Sequence, residues 1–413
     1  MTELEGKCLD FIKKHLAIIS YSILLLMILG LYVQMGLHFD ITSPPQTDFT
    51  QFIQSWWSQI VSDGGFRSLS HQIGDYAASY QTLLAWMTTW GLNCQGAIKL
   101  VGAITNFALA LAVAAFTYKV KSEKTLSSFA LPFLVTLILP SVFIESMIWG
   151  QCDPLYALFM FISFYFIYND KWGWGLFFYG VSLSFKLEPI MFLPFIIMIY
   201  VLGHKHSIFN FGWALLGFYI PNIGGLLHGQ SFFAPFKALL GQTSEQPVLS
   251  FNAINLPQLF AMCNGKGKTG PNDASLAYSM MSSFLILMTI FIFAIVLIYL
   301  VKNNYDFRKN FVQLLTWCIW TCEIFLPSMH ERYDFMIGIL LLVLTCLNVR
   351  YLPMLVLVGI MDTVLYLNYF FYFNYMGNNL QLFSWIMLIL YGIMTYIVIK
   401  QPSKFEVNKK ARN

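Results

Sequence analysis

The sequence predicts an all-α polytopic membrane protein, and three observations carry that prediction. Of 413 residues, 58% are hydrophobic and only 11% are charged; long apolar runs recur along the chain; and short clusters of lysine and arginine separate them. A soluble core of this length has no need of so much apolar surface. The aromatic share of 17% points the same way, since rings are favoured at membrane boundaries. A net charge of +4, dispersed between apolar runs, excludes a nucleic-acid-binding module. The seven cysteines are scattered, without a CxxC or Cys/His cluster, so neither a disulfide framework nor structural zinc is expected. Lys7, Lys13 and Lys14 precede an apolar run that lacks a small-residue cleavage site, which reads as a retained first helix.

A helix needs roughly 20 apolar residues to cross the hydrocarbon, and about twelve segments qualify when short ones beside functional breaks are admitted. They are Leu16 to Met35, Ala97 to Tyr118, Ser127 to Ile148, Leu155 to Tyr168, Trp172 to Phe185, Ile190 to Leu202, Phe209 to Leu226, Ala277 to Val301, Phe311 to Leu326, Phe335 to Leu347, Leu352 to Phe373 and Leu380 to Ile399. With both termini cytoplasmic, alternate connections hold Lys119, Lys121 and Lys124; Lys171; Lys205; Lys302, Arg308 and Lys309; Arg350; and a tail with Lys400, Lys404, Lys409, Lys410 and Arg412. This satisfies the positive-inside rule. No repeat or soluble accessory segment interrupts the pattern, so residues 1–413 are expected to form one membrane domain. Its extracytoplasmic side carries two long loops, 36–95 and 227–275, and several short polar turns.

In the first loop, Phe49, Phe52, Ile53, Trp56, Trp57, Ile60 and Val61 recur at helical spacing, with glutamines and serines opposite. That pattern predicts an amphipathic helix lying in the membrane interface, its tryptophans at headgroup level. Pro44 and Pro45 precede it, Thr47 or Asp48 can cap it, and Gly64-Gly65 ends it. Asp48 has a second reading: a carboxylate held at the surface can take the proton of an acceptor hydroxyl. Asp40, Asp63 and Asp75 read as solvated loop charges.

Other polar groups interrupt apolar runs. Asp153 follows Trp149-Gly150-Gln151-Cys152, where it is either a helix cap before Pro154 or a group in a hydrated cavity. Lys186 and Glu188 in Ser184-Phe185-Lys186-Leu187-Glu188-Pro189 form a local pair or present an ammonium to a phosphate. Met329-His330-Glu331-Arg332-Tyr333-Asp334 packs the densest charge into a short turn. Arg332 suits phosphate oxygens and His330 suits proton transfer, while a Glu331/Arg332 pair is the plainer alternative. Asn252 and Asn255, in Ser250-Phe251-Asn252-Ala253-Ile254-Asn255, either bind sugar hydroxyls or make Asx turns. Gly265-Lys266-Gly267-Lys268-Thr269-Gly270 lacks phosphate-loop spacing and reads as a flexible loop.

Taken in order, Asp48, Gly74-Asp75-Tyr76, the Gln151 to Pro154 element, the Lys186 to Pro189 element, the Asn252 to Asn255 element and Met329 to Tyr333 resemble the GT-C superfamily of polyprenyl-phosphate-sugar-dependent glycosyltransferases, in its mannosyl- and glucosyltransferase-like branch. The resemblance implies a GT-C-like bundle of about twelve helices, with interfacial helices in the first extracytoplasmic loop. It further implies metal-independent hexose transfer, without a cofactor, from a polyprenyl-phosphate-linked hexose to a glycan or lipid-linked acceptor at the extracytoplasmic face. Asp48 would be the catalytic base, with Asp40 and Asp153 as alternatives for base or acceptor binding. Lys186, His330 and Arg332 would meet donor phosphate or sugar, and Gln151, Glu188, Asn252, Asn255 and Glu331 would serve sugar binding or structure. The chemistry is consistent, because cations beside a departing phosphate lower the barrier.

The competing function is a transporter or lipid flippase, motivated by the helix number and by Glu145, Glu323 and Asp362 within apolar runs. The inverted repeats common in transporters are not evident. A glycan polymerase or ligase acting on polyprenyl carriers is a third reading.

Overall fold

The computed structural model describes residues 2–42, 48–203, 206–242, 248–260, 263–264, 268–269, 276–371 and 376–400. The chain is about 81% helical with almost no strand. Its α-helices are α1 (Glu3–His38), α2 (Gln54–Ser62), α3 (Ala78–Met87), α4 (Cys94–Val120), α5 (Leu126–Ile138), α6 (Pro140–Ile144), α7 (Asp153–Tyr168), α8 (Trp172–Phe185) and α9 (Leu193–Gly203). They continue with α10 (Gly212–Tyr219), α11 (Ile223–Leu227), α12 (Ala234–Gly241), α13 (Leu256–Phe260), α14 (Leu276–Lys302), α15 (Phe311–Phe325), α16 (Phe335–Leu347), α17 (Leu352–Phe371) and α18 (Met376–Lys400).

Among the described residues five helices are long and apolar enough to cross a membrane, six if the pair α5 and Pro140–Trp149, bent by 51°, counts as one span. The other six expected segments are helical but short, for example 16 residues in α7, 14 in α8 and 13 in α16. At a rise of about 1.5 Å per residue, such helices fall short of a hydrocarbon core about 30 Å thick. Their ends share a place. α7 begins at Asp153, α8 stops before Lys186, the 3-10 turn leading into α9 begins at Glu188, and α15 and α16 flank the His330 to Asp334 turn. Broken backbone inside an apolar bundle is tolerated where it lines a polar cavity, and these breaks do so. By contrast α1 and α14 leave most of their apolar surface uncovered, with only 11% and 22% of their spanning windows buried. Such faces suit a lipid bilayer.

Several basic residues meet at the end of the bundle opposite these breaks. Asp170 accepts from Arg308 and lies 3.8 Å from His206. α18 runs antiparallel to α15, as Trp317 Nε1 to Thr395 Oγ1 (2.9 Å) and Thr321 to Tyr391 (3.1 Å) show, so Lys400 lies near the Arg308 end. Lys205 and the tail residues Lys404, Lys409, Lys410 and Arg412 lie outside the described residues. The largest core cluster joins α7, α8, α9, α15 and α16 through rings such as Phe164 and Phe192, whose centroids are 4.5 Å apart. α8 and α10 cross most closely at glycines: a Cβ on Gly180 would meet Ala214 O at 1.9 Å, and one on Gly217 would meet Phe177 O at 1.9 Å.

The first loop departs from expectation in one respect. The helix forms, opening with a π-turn over Phe49–Ile53 and ending at Gly64 and Gly65, both left-handed. Its apolar stripe is divided: Phe49, Ile53, Trp57 and Ile60 are buried against Ile73, Tyr80 and Leu84, while Phe52 and Val61 remain exposed. A helical stripe specifies an apolar partner without naming it, and here α3 and the preceding loop supply it. Pro44, Pro45 and Thr47 lie outside the described residues.

The second loop is tied down by a small sheet of two-residue strands: β1 (Ser250–Phe251), β2 (Cys263–Asn264), β3 (Lys268–Thr269) and β4 (Met329–His330), in the order β2-β3-β1-β4. β1 runs parallel to β4, pairing Phe251 with His330. Lys268 and Thr269 thus belong to a strand, while Gly265, Lys266, Gly267 and Gly270 lie outside the described residues.

Candidate functional site

One cavity of about 640 Å³, within the range of small-molecule sites, opens among the ends of the short helices. Its floor is a chain of charged groups from four distant segments. Asp48, delivered by the turn before α2, accepts from Arg332 Nη1 at 2.7 Å and from Gln151 Nε2 at 3.0 Å. Arg332 Nε stands 3.5 Å from Asp153 Oδ2, and Asp153 Oδ1 accepts from Lys186. Lys186 Nζ also lies 2.7 Å from Glu188. Two aromatic rings flank the ammonium, Tyr156 at 5.8 Å and Tyr333 at 5.6 Å, and the guanidinium sits 5.4 Å from the Trp149 ring.

These residues meet because the backbone breaks there. Gly150 takes the left-handed conformation at φ 73°, turning the chain so that Gln151 and Asp153 face Asp48. The Lys186 backbone is extended between α8 and the turn of Glu188, which lets both side chains point to Asp153. Ser328, also left-handed at φ 61°, releases the chain from α15 into β4 and brings Arg332 over the cavity.

Electrostatics hold the two cations charged. Burial opposes the charge on Arg332, yet Asp48 and Asp153 outweigh it and raise its pKa well above the ordinary value. Burial likewise opposes the charge on Lys186, and Asp153 and Glu188 likewise prevail. Three carboxylates, Asp48, Asp153 and Glu188, thus surround two cations. The Asp48 side chain is 25% exposed against 1% for Asp153 and 4% for Glu188, so of the three it is the one with solvent access.

The structure separates the expected residues into two groups. Asp48, Gln151, Lys186, Glu188, His330 and Arg332 line the cavity, and Asp153 lies beneath them. Asp48 makes no capping hydrogen bond to the helix it precedes, and α7 takes Cys152 rather than Asp153 as its N-cap residue. The local Lys186 to Glu188 pair is present, whereas the expected Glu331/Arg332 pair is replaced: Glu331, buried, meets His330 Nδ1 at 3.2 Å, and Arg332 reaches Asp48 and Asp153. Asp40 stands apart from the cavity lining. Its carboxylate accepts from Thr42 N (2.9 Å) and Oγ1 (2.7 Å), which holds it below the usual range, so it closes a turn after α1. Asn252, at φ 58°, pairs by backbone with His330, and Asn255 accepts from Gln258 N at 3.3 Å at the start of α13. Both serve local structure here rather than the cavity wall.

Sequence reasoning gave several lining residues no role of their own. Asp75 is among them, and burial raises its carboxyl above the ordinary value. Tyr278, Ser279, Ser282 and Ser283 on α14 form a hydroxyl face, with Tyr278 bonded to Ser328 at 3.0 Å. The serine spacing i, i+3, i+4 in an apolar helix was the available signal. Gln242 of the second long loop clasps the first to the Lys186 segment: Nε2 donates to Asp75 O at 3.3 Å and Oε1 accepts from Leu187 N at 3.1 Å.

Among the described residues, no group of three or more His, Cys, Asp and Glu is arranged to hold a metal ion. No protein-family model matches the chain, and no curated protein matches it. The functional reading therefore stands on the residues and their geometry.

Proposed function

We propose that the protein is a membrane hexosyltransferase of GT-C type, transferring a hexose from a polyprenyl-phosphate donor to an extracytoplasmic glycan, lipid or cell-envelope acceptor. In this reading the short helices complete a bundle of about twelve spans, the termini are cytoplasmic, and the cavity opens on the extracytoplasmic side. The observation that carries it is the convergence of Asp48, Gln151, Asp153, Lys186, Glu188 and Arg332 on one cavity, walled on one side by the hydroxyl face of α14. A lipid-linked donor has the matching chemistry: an anionic phosphate, a hydroxyl-rich sugar and a chain that lies in lipid.

In the reaction the bond between the anomeric carbon and the phosphate oxygen breaks, and its electron pair leaves with the phosphate. Arg332, together with Lys186, offsets that developing charge. The acceptor hydroxyl bonds to the anomeric carbon and gives its proton to a carboxylate, for which Asp48 and Asp75 are the two that line the cavity with solvent access. The test is transfer by purified protein from polyprenyl-phosphate glucose or mannose to alkyl glycosides. Absence of transfer from either donor would overturn the reading.

A transporter or lipid flippase is the second reading, favoured by carboxyls behind the cavity. Tyr366 donates to Glu145 at 2.8 Å, Glu145 lies within hydrogen-bond reach of Asp153, and Asp334 within reach of Asp362. Lipid or substrate flux in proteoliposomes without glycosyl transfer would reverse the order of the two.

A further inference from the structure

We infer that Asp75, rather than Asp48, accepts the proton of the acceptor hydroxyl, and that Asp48 is a positioning residue for Arg332. The inference rests on the hexosyl-transfer reading and assigns the roles of its two cavity carboxylates.

A general base needs a carboxylate that is unspent, within reach of the reacting hydroxyl, and basic enough to take a proton. Asp48 is spent. Arg332 at 2.7 Å and Gln151 at 3.0 Å both donate to its Oδ2, and an adjacent guanidinium makes a carboxylate a weaker base. Asp75 is the reverse case. No donor among the described residues reaches its carboxylate, and although the residue is exposed at the cavity mouth, the partial burial of its carboxyl raises its pKa.

The other charged groups of the cavity leave it so. Lys186 is engaged by Asp153 and Glu188, Arg332 by Asp48 and Asp153, and His330 by Glu331. Of the neutral groups, Tyr76 and Tyr278 line the cavity and Tyr333 flanks Lys186.

The position of Asp75 is built. Gly74 is left-handed at φ 71°, and a Cβ there would strike the Trp56 ring at 2.4 Å, so only glycine lets the loop close on Trp56. Tyr76 then stacks edge-on against Trp56 at 5.4 Å, near enough to Lys186 and Arg332 for their charges to act on its hydroxyl. Gln242 fixes the Asp75 carbonyl to the residue after Lys186. A carboxylate held at the same cavity as the cations, yet bonded to neither, suits the acceptor side of a transfer whose donor side is the guanidinium. The balance is complete: the acceptor oxygen bonds the anomeric carbon, the phosphate leaves with the electron pair, the hydroxyl proton moves to Asp75, and Asp75, exposed at the mouth, returns it to water.

The test compares Asp75→Asn, Asp75→Glu and Asp48→Asn in the purified full-length chain, with polyprenyl-phosphate glucose and mannose as donors and octyl glucoside and octyl mannoside as acceptors. Asp75→Asn should lower kcat by about 10²–10⁴-fold with donor KM little changed, and should abolish the acidic limb of the kcat pH profile. The working form is ionised, so in the unaltered protein kcat falls as pH drops through the raised Asp75 pKa. Asp75→Glu should recover part of the rate. Asp48→Asn should raise donor KM and keep the acidic limb. An Asp75→Asn protein that elutes and melts like the unaltered one, yet retains kcat and the limb, overturns the inference and leaves hexosyl transfer standing. Loss of the limb in Asp48→Asn alone overturns it too, while an inactive unaltered protein overturns both proposals.

Discussion

Replacing Lys186 with Met tests whether the buried charge chain holds the site together. The ammonium is only 2% exposed and compensates Glu188 at 2.7 Å as well as Asp153. Arg332 still faces Asp153 at 3.5 Å in the variant, so the carboxylate left without a cation is Glu188, itself 6% exposed. Removing one partner of a buried pair costs about 3–5 kcal/mol, because the other charge stays buried without compensation. Met fills a similar apolar volume between the Tyr156 and Tyr333 rings, so lost packing adds little. The double variant Lys186→Met/Glu188→Gln removes the orphaned charge and should recover most of that loss, whereas Glu188→Gln alone should cost only about 1–3 kcal/mol. Thermal unfolding in one detergent, followed by tryptophan fluorescence, gives all three values and their coupling. A single variant as stable as the unaltered protein, or a double variant whose losses simply add, would refute the argument.

Other expectations follow from the same geometry. Gly180→Ala or Gly217→Ala drives a methyl into backbone of the facing helix, so each should destabilise by more than about 3 kcal/mol, while Gly359→Ala, with open space around it, should cost little; melting midpoints decide. Arg332→Lys keeps the charge but lacks the fork that meets Asp48 and Asp153 together, and transfer assays should show at least about a tenfold loss in kcat/KM. Gly74→Ala displaces Trp56 from the cavity wall, which should raise KM with a smaller change in melting midpoint.

Much of this molecule was legible in the residue order because the signals are local. Hydropathy marks a helix wherever it lies, so each of the twelve apolar segments is mainly helical over its described residues, and the polar interruptions at Asp153, Lys186 and Arg332 mark where the backbone breaks. Length is equally local, yet among the described residues only five or six of these segments are long enough by themselves to span, because an apolar run does not say whether its end lies at a bilayer surface or at a cavity inside the bundle. Partner choice was illegible for a related reason. Arg332 adjoins Glu331 in the chain but pairs with Asp48, 284 positions away, and Trp57 packs on protein while Phe52 and Val61 of the same stripe stay exposed. An apolar face or an ion fixes only the kind of partner required. Which carboxylate is engaged and which is left open, as with Asp48 and Asp75, depends on distances of a few ångströms between segments, and those exist only once the chain has packed.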